Sequence, residues 1–151
     1  MVKDLGAATV TNLDEIIEQF QWADSDLRLE MLLDFSRKLP VLPQRFWEQR
    51  DAGLNRVPEC MTPVFLFTEC EEGSLRLYVD VAEESPTVRG IVSILVSAYD
   101  GADPKLLAAA PSDLLNLLGL GEQIRMSRAI GVAGIVGRIK KAAHELVKKR
   151  V

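Results

Sequence analysis

One alternating stretch, set between two regions of helical spacing, limits what this chain can fold into. Val64-Phe65-Leu66-Phe67-Thr68-Glu69-Cys70 has the period of a strand, and Glu71-Glu72-Gly73-Ser74 supplies a turn. Leu75, Leu77, Val79 and Val81 then alternate with Arg76, Tyr78 and Asp80. This pattern describes an antiparallel hairpin with one face buried and one wet. A hairpin of two strands is marginal alone in water, so a third strand is expected just before it, near residues 54–57. That strand would put Cys60 in the connection between neighbouring strands. No strand–helix–strand alternation occurs anywhere, which makes the fold α+β, with a small antiparallel sheet of about three strands covered by helices.

The helices are readable from their caps and their apolar spacing. Asn12 with Glu15 three residues on forms a capping box, and Leu13, Ile16, Ile17 and Phe20 then share one face. Asp24 or Ser25 caps a second helix, with Leu27, Met31, Leu32, Phe35 and Leu39 inward before Pro40 stops it. Residues 43–53 add one or two helical turns, with Phe46 and Trp47 as anchors; Trp22 is expected at the core or its rim. After the hairpin, Ser85 is an N-cap with Pro86 at the first helical position, followed by Val88, Ile91, Val92, Leu95, Val96 and Tyr99 at helical spacing. Asp103-Pro104 and Pro111-Ser112-Asp113 open two shorter helices, the second ending near Gly119 or Gly121. The last helix spans about residues 127–149, with Val132, Ile135, Val136, Ile139, Ala143 and Leu146 inward. Lys140, Lys141, Lys148, Lys149 and Arg150 suit its C-terminal half, where the helix dipole favours cations.

At 151 residues the chain makes one domain, 1–151, with 48% hydrophobic and 26% charged residues. A net charge of −4 argues against general nucleic-acid binding, which needs a basic surface to displace counterions. The charge is uneven. Residues 1–85 carry 8 Lys+Arg against 17 Asp+Glu, and residues 86–151 carry 10 against 5. Such polarity either orients a partner or pairs the two halves with each other. The charge-free apolar run at residues 90–99 is too short for the roughly 18–20 residues that span a bilayer. Met1-Val2-Lys3-Asp4-Leu5-Gly6 lacks the apolar core of a signal peptide, so a soluble, cytoplasmic protein is expected.

Chemistry concentrates on one residue. Cys60 lies in Val57-Pro58-Glu59-Cys60-Met61-Thr62-Pro63, a proline-bracketed loop at the mouth of the first strand. Reactive groups tend to sit on such loops, but a free cysteine is as often a small buried hydrophobe. Cys60 and Cys70 bracket one strand, which separates their Cα atoms by more than ~20 Å at the rise of a β-strand, too far for a disulfide. Cys70 has Glu69, Glu71 and Glu72 beside it, which disfavour its thiolate. Gly131, Gly134 and Gly137 lack the spacing of a phosphate-binding loop and mark close packing of the last helix on a neighbour. His144 is the only histidine and reads as solvated or half-packed; it assembles neither a triad nor a zinc site with these cysteines. Asp14-Glu15 and Glu83-Glu84 sit at helix starts, where carboxylates stabilise the dipole.

With these residues in hand, the chain resembles the SufE family of sulfur-acceptor proteins. Val57-Pro58-Glu59-Cys60-Met61-Thr62-Pro63-Val64-Phe65 is similar to the family's Val-x-Gly-Cys-x-Ser-x-Val-Trp loop and strand. Val88-Arg89-Gly90-Ile91-Val92 looks like the start of the helix after the sheet. Leu118-Gly119-Leu120 and Met126-Ser127-Arg128-Ala129-Ile130-Gly131 are similar to the Leu-x-Leu and Ser-Arg-x-x-Gly segments, and Arg37-Lys38-Leu39-Pro40 matches the Leu-Pro closure of an early helix. The chain departs from the pattern at Glu59 for glycine, Thr62 for serine and Phe65 for tryptophan. A carboxylate next to Cys60 disfavours its thiolate.

The resemblance implies a SufE/IscU-like fold with a small curved sheet and Cys60 as persulfide acceptor, exposed or shielded on its loop. It implies as partner a cysteine desulfurase, SufS-like or IscS-like, which carries the pyridoxal phosphate; the chain itself holds no cofactor and no metal. Sulfur then passes to an iron–sulfur scaffold, and the chain acts as a monomer or homodimer that stimulates the desulfurase without being an autonomous catalyst. Arg128, by its match to the Ser-Arg segment, is the cation expected near the thiolate or the partner, with Arg56 as the local alternative. Two other readings stand beside this one. In the first, an adaptor binds its partner through charge polarity and Cys60 is structural. In the second, the chain is an independent thiol enzyme, which would need a base and an oxyanion stabiliser that the sequence does not display.

Overall fold

Helical and alternating segments assemble in a computed structural model that describes residues 12–122 and 124–149. The readings of Met1 to Gly6, of the Asn12 side chain and of Arg150 lie outside the described residues. Helix α1 (Asn12–Trp22) buries Leu13, Ile16 and Phe20. Helix α2 (Ser25–Ser36) starts at Asp24, whose carboxylate accepts from the Leu27 amide at 2.9 Å. Its inward stripe is Leu32, flanked by half-buried Met31 and Phe35. Leu27, expected inward, is exposed. Its neighbour Arg28 turns toward the protein instead, donating to the carbonyls of Phe20 at 2.7 Å and Gly119 at 3.2 Å, and so ties the first helices to the C-terminal half.

The hairpin forms as the alternation requires. Strands β1 (Val64–Glu71) and β2 (Ser74–Val81) pair antiparallel, Val64 opposite Val81 and Glu71 opposite Ser74. Glu72 and Gly73 make the two-residue turn with φ of 52° and 82°, the left-handed pair that matches the twist of the strands. The expected third strand shrinks to a single bridge between Arg56 and Phe65, flanked by hydrogen bonds from the Val57 amide to Val64 O (2.8 Å) and from the Leu66 amide to Asn55 O (3.0 Å). Pairing stops there for two reasons: Asn55 is left-handed at φ 65°, and Pro58 has no amide hydrogen to donate. The other strand has its own attachments. Gly101 N donates to Leu75 O at 3.0 Å, Leu77 N to Asp100 at 2.8 Å, and Arg89 to Val81 O at 2.7 Å. Asp100 also accepts from Arg76 Nε at 2.9 Å.

The second face of the hairpin is wet only in part: Glu71 is exposed, the other side chains of this face are half-buried, and Phe67 is buried. A 3₁₀ turn (Gln44–Phe46) runs into the short helix α3 (Trp47–Asp51), and Phe46 stacks on Phe67 with centroids 4.6 Å apart and leans on Tyr78 at 5.0 Å. Leu42, Phe46 and Phe67 thus make a small satellite core. Trp47 is partly exposed and donates to Leu42 O at 2.8 Å, anchoring this segment. Trp22, by contrast, is 85% exposed and anchors neither core nor rim.

Helix α4 (Pro86–Tyr99) is the centre of the fold, with Val88, Ile91, Val92, Leu95, Val96 and Tyr99 all buried. Gly90 lets it approach α2 closely: a Cβ there would stand 2.4 Å from the Leu32 carbonyl oxygen. Helices α5 (Pro104–Ala108) and α6 (Leu114–Leu117) are short. Helix α7 (Met126–Lys149) closes the domain, burying Val132, Ile135, Val136, Ile139 and Ala143, with Leu146 half-buried. The architecture is α+β, a two-stranded antiparallel sheet packed against helices. Among the described residues no helix is long and apolar enough to cross a membrane.

Candidate functional site

Cys60 sits where the loop of residues 57–63 meets α7. Val57 is fully buried and anchors one end of the loop, and the Cys60 amide donates to its carbonyl at 3.2 Å. Thr62 and Ser85 share a hydroxyl hydrogen bond of 2.8 Å, which fastens the other end to the start of α4. Ser85 therefore precedes α4 as expected, but its hydroxyl serves the loop and not the helix amides.

The close packing expected of the α7 glycines is against this loop. A Cβ on Gly131 would lie 2.8 Å from Cys60 Sγ, and one on Gly134 would lie 2.7 Å from Glu59 Cβ. Gly137 faces open space and has no such partner. One turn beyond Gly134, Arg138 meets Glu59 Oε1 at 3.4 Å. The carboxylate that departs from the family pattern is thus seated in a notch and paired. Sequence reasoning missed this pair, which joins residues 79 positions apart.

Cys60 is only 6% exposed. Burial pushes its thiol pKa up, the Glu59 carboxylate pushes the same way, and Arg56 opposes both. Cys60 nonetheless borders a cavity of about 530 Å³, together with Met61, Thr62 and Val88 on one side and Arg125, Ser127 and Arg128 at the start of α7 on the other. Arg128 is therefore brought to the same cavity as Cys60, while in this closed arrangement the cation acting on the thiol is Arg56. Arg56 itself donates to Met61 O at 3.4 Å. Arg125 was not anticipated; it lies just before the first residue of α7, and its place three residues ahead of Arg128 was the available signal. Apolar Met61, Met126 and Ile130 are exposed around this region.

The other candidates lie elsewhere. Cys70 is a free, exposed thiol near the turn end of the hairpin, opposite Leu75. His144 is exposed on the C-terminal half of α7 and does not line the cavity.

The sequence model of the SufE family, an Fe-S metabolism associated domain, matches residues 14–143. The chain belongs to the SufE family. A SufE-like protein of Mycobacterium tuberculosis is 32% identical over 134 residues, spanning 88% of this chain and 92% of the relative. A chloroplastic quinolinate synthase of Nicotiana tabacum is 31% identical over 148 residues, which are 95% of this chain but only 20% of that protein. Among solved structures, the solution structure of a hypothetical protein from Thermus thermophilus superimposes with a TM-score of 0.77 at 27% identity, covering 92% of this chain and 98% of the other. Membership of the family gives this SufE protein a role in iron–sulfur metabolism.

Proposed function

We propose that Cys60 accepts sulfur from a persulfide carried by a cysteine desulfurase and passes it toward iron–sulfur cluster assembly. The Cys60 thiolate attacks the outer sulfur of the partner's persulfide. A new S–S bond forms, the old one breaks, and its electron pair leaves with the partner cysteine as a thiolate. The products are a persulfide on Cys60 and a desulfurase cysteine free for another turnover, which is how acceptance stimulates the partner. Electrons balance without any oxidant, and the rate depends on thiolate fraction and access. Pyridoxal phosphate belongs to the desulfurase.

The observation that carries this reading is the cavity that Cys60 shares with Arg125 and Arg128. A persulfide is anionic, and the two guanidinium groups give an incoming one a cationic wall. Burial of the resting thiol suits a relay, because it keeps the sulfur from oxidants and solvent between encounters. The same burial is what favours the second reading, an adaptor with a structural Cys60.

One experiment separates them. The protein is mixed with a cysteine desulfurase, pyridoxal phosphate and cysteine, and intact-mass and peptide analysis follow. Added sulfur on Cys60 and none on Cys70 is expected, and Cys60→Ser should abolish acceptance with the fold intact. Sulfur acceptance retained by Cys60→Ser would sink the proposal.

A further inference from the structure

The Cys60 loop is fastened at several points, and they differ in kind. Cys60 against Gly131 is a packing contact, and Thr62 with Ser85 is a hydrogen bond between neutral hydroxyls. Glu59 with Arg138 is an ion pair, its side chains 40% and 44% exposed. Its placement is specific. A Cβ on Gly134 would come within 2.9 Å of Glu59 Cγ and Oε1, so the helix surface is hollowed for this side chain. Gly134 and Arg138 are four residues apart on α7, which puts hollow and cation on the same helix face. Glu59 is also the immediate neighbour of Cys60, so a tie on its side chain restrains the backbone that carries the thiol.

We propose that Glu59 and Arg138 form an electrostatic latch that holds the Cys60 loop closed on α7 and limits access to the thiol. The latch serves the sulfur-acceptor reading given above, yet its own test needs no partner. With the pair intact the loop rests on Gly131 and Gly134, and the sulfur is covered. With the pair broken the loop keeps its packing, its hydroxyl contact, its backbone hydrogen bonds and the Arg56 bond to Met61 O, but loses its tie to the Arg138 turn of α7, and it spends more time open. An anionic group on a docking protein that takes Arg138 from Glu59 would release the loop at the moment of contact.

The two partners also allow the latch to be told from a simple charge effect. Glu59 disfavours the thiolate, so removing its charge speeds thiol chemistry on either account. Removing Arg138 leaves the Glu59 charge uncompensated. A charge effect alone would then slow the thiol, whereas a lost latch exposes it.

The experiment follows alkylation of Cys60 by iodoacetamide in a Cys70→Ser background, as a function of pH up to the alkaline plateau. The plateau reports access because the thiolate is fully formed there. Glu59→Gln and Arg138→Gln should each raise the plateau about two- to five-fold, the range open to a partly exposed ion pair. The double variant should add nothing further. Raising salt from about 0.05 M to about 0.5 M should speed the parent and leave both variants unchanged, since screening weakens only an existing pair. A plateau for Arg138→Gln at or below the parent value overturns the latch, as does full additivity in the double variant. Failure of sulfur transfer from a desulfurase, with these labelling results obtained, would instead remove the acceptor reading and leave the latch standing.

Discussion

Gly131→Ala tests the seating of Cys60 on α7, and Gly137→Ala is its control. In a helix interior, alanine is favoured over glycine by about 1 kcal/mol because less backbone entropy is lost on folding. Nothing lies within 4 Å of a Cβ on Gly137, so that variant should gain the whole increment. For a chain of this size, that is a rise in Tm of about 2–4 °C. At Gly131 the new methyl would lie 2.8 Å from Cys60 Sγ and 3.3 Å from Cys60 Cα. Apolar heavy atoms prefer about 3.5–4.0 Å. Because the methyl also crowds the Cys60 backbone, rotating the thiol away does not clear the overlap. Overpacking of this kind costs about 1–3 kcal/mol. Gly131→Ala should therefore be about 1–3 kcal/mol less stable than Gly137→Ala in urea unfolding. If the loop lifts to escape the methyl, part of that loss converts into faster alkylation of Cys60. Combining Gly131→Ala with Cys60→Ala removes the 2.8 Å approach to sulfur and should recover part of the loss. Gly131→Ala as stable as Gly137→Ala, with Cys60 labelling unchanged, would refute the close approach.

Two further outcomes follow from the packing and the charges around the loop and α4. Gly90→Ala drives a methyl toward the Leu32 carbonyl oxygen at 2.4 Å and the Leu32 side chain at 2.7 Å. Backbone cannot rotate away, so α2 and α4 must part, and a loss of about 3 kcal/mol is expected in urea unfolding. The Cys60 thiol gives a slope in pH. Burial, then Glu59, hold its folded pKa above the unfolded one, against Arg56. That contribution to stability is fully present below the unfolded pKa and is lost as pH rises through the folded pKa, because only the unfolded chain ionises in between. Unfolding in a Cys70→Ser background between about pH 7 and about pH 10 should show this decline, and Cys60→Ser should flatten it; an unchanged slope in Cys60→Ser assigns the decline elsewhere.

Periodicity made the hairpin, α4 and α7 legible, because burial on one face writes a period into the sequence. It does not say what covers that face. Phe65, Phe67 and Tyr78 alternated opposite the main core, yet the cover they receive from Phe46 comes from a segment whose own pattern is too short to read. The third strand failed on backbone grounds, where Pro58 and left-handed Asn55 end the pairing. Leu27 lost its inward place to Arg28, whose guanidinium found three carbonyls to satisfy. At the site, Cys60 was legible from the proline brackets and Arg128 only through resemblance. The Glu59–Arg138 pair spans two elements far apart in sequence, and no local spacing records such a contact.

The attachments of the hairpin bear on how a partner can bind. Asn55 and Val57 already occupy Val64 and Leu66 along the outer side of β1, and Gly101, Asp100 and Arg89 occupy Leu75, Leu77 and Val81 along the outer side of β2. Edge strands usually invite a further strand from another chain. Here such a strand would first have to displace hydrogen bonds from loop, helix end and guanidinium on whichever edge it chose. Recruitment by β-augmentation is thus obstructed on both sides beside these residues.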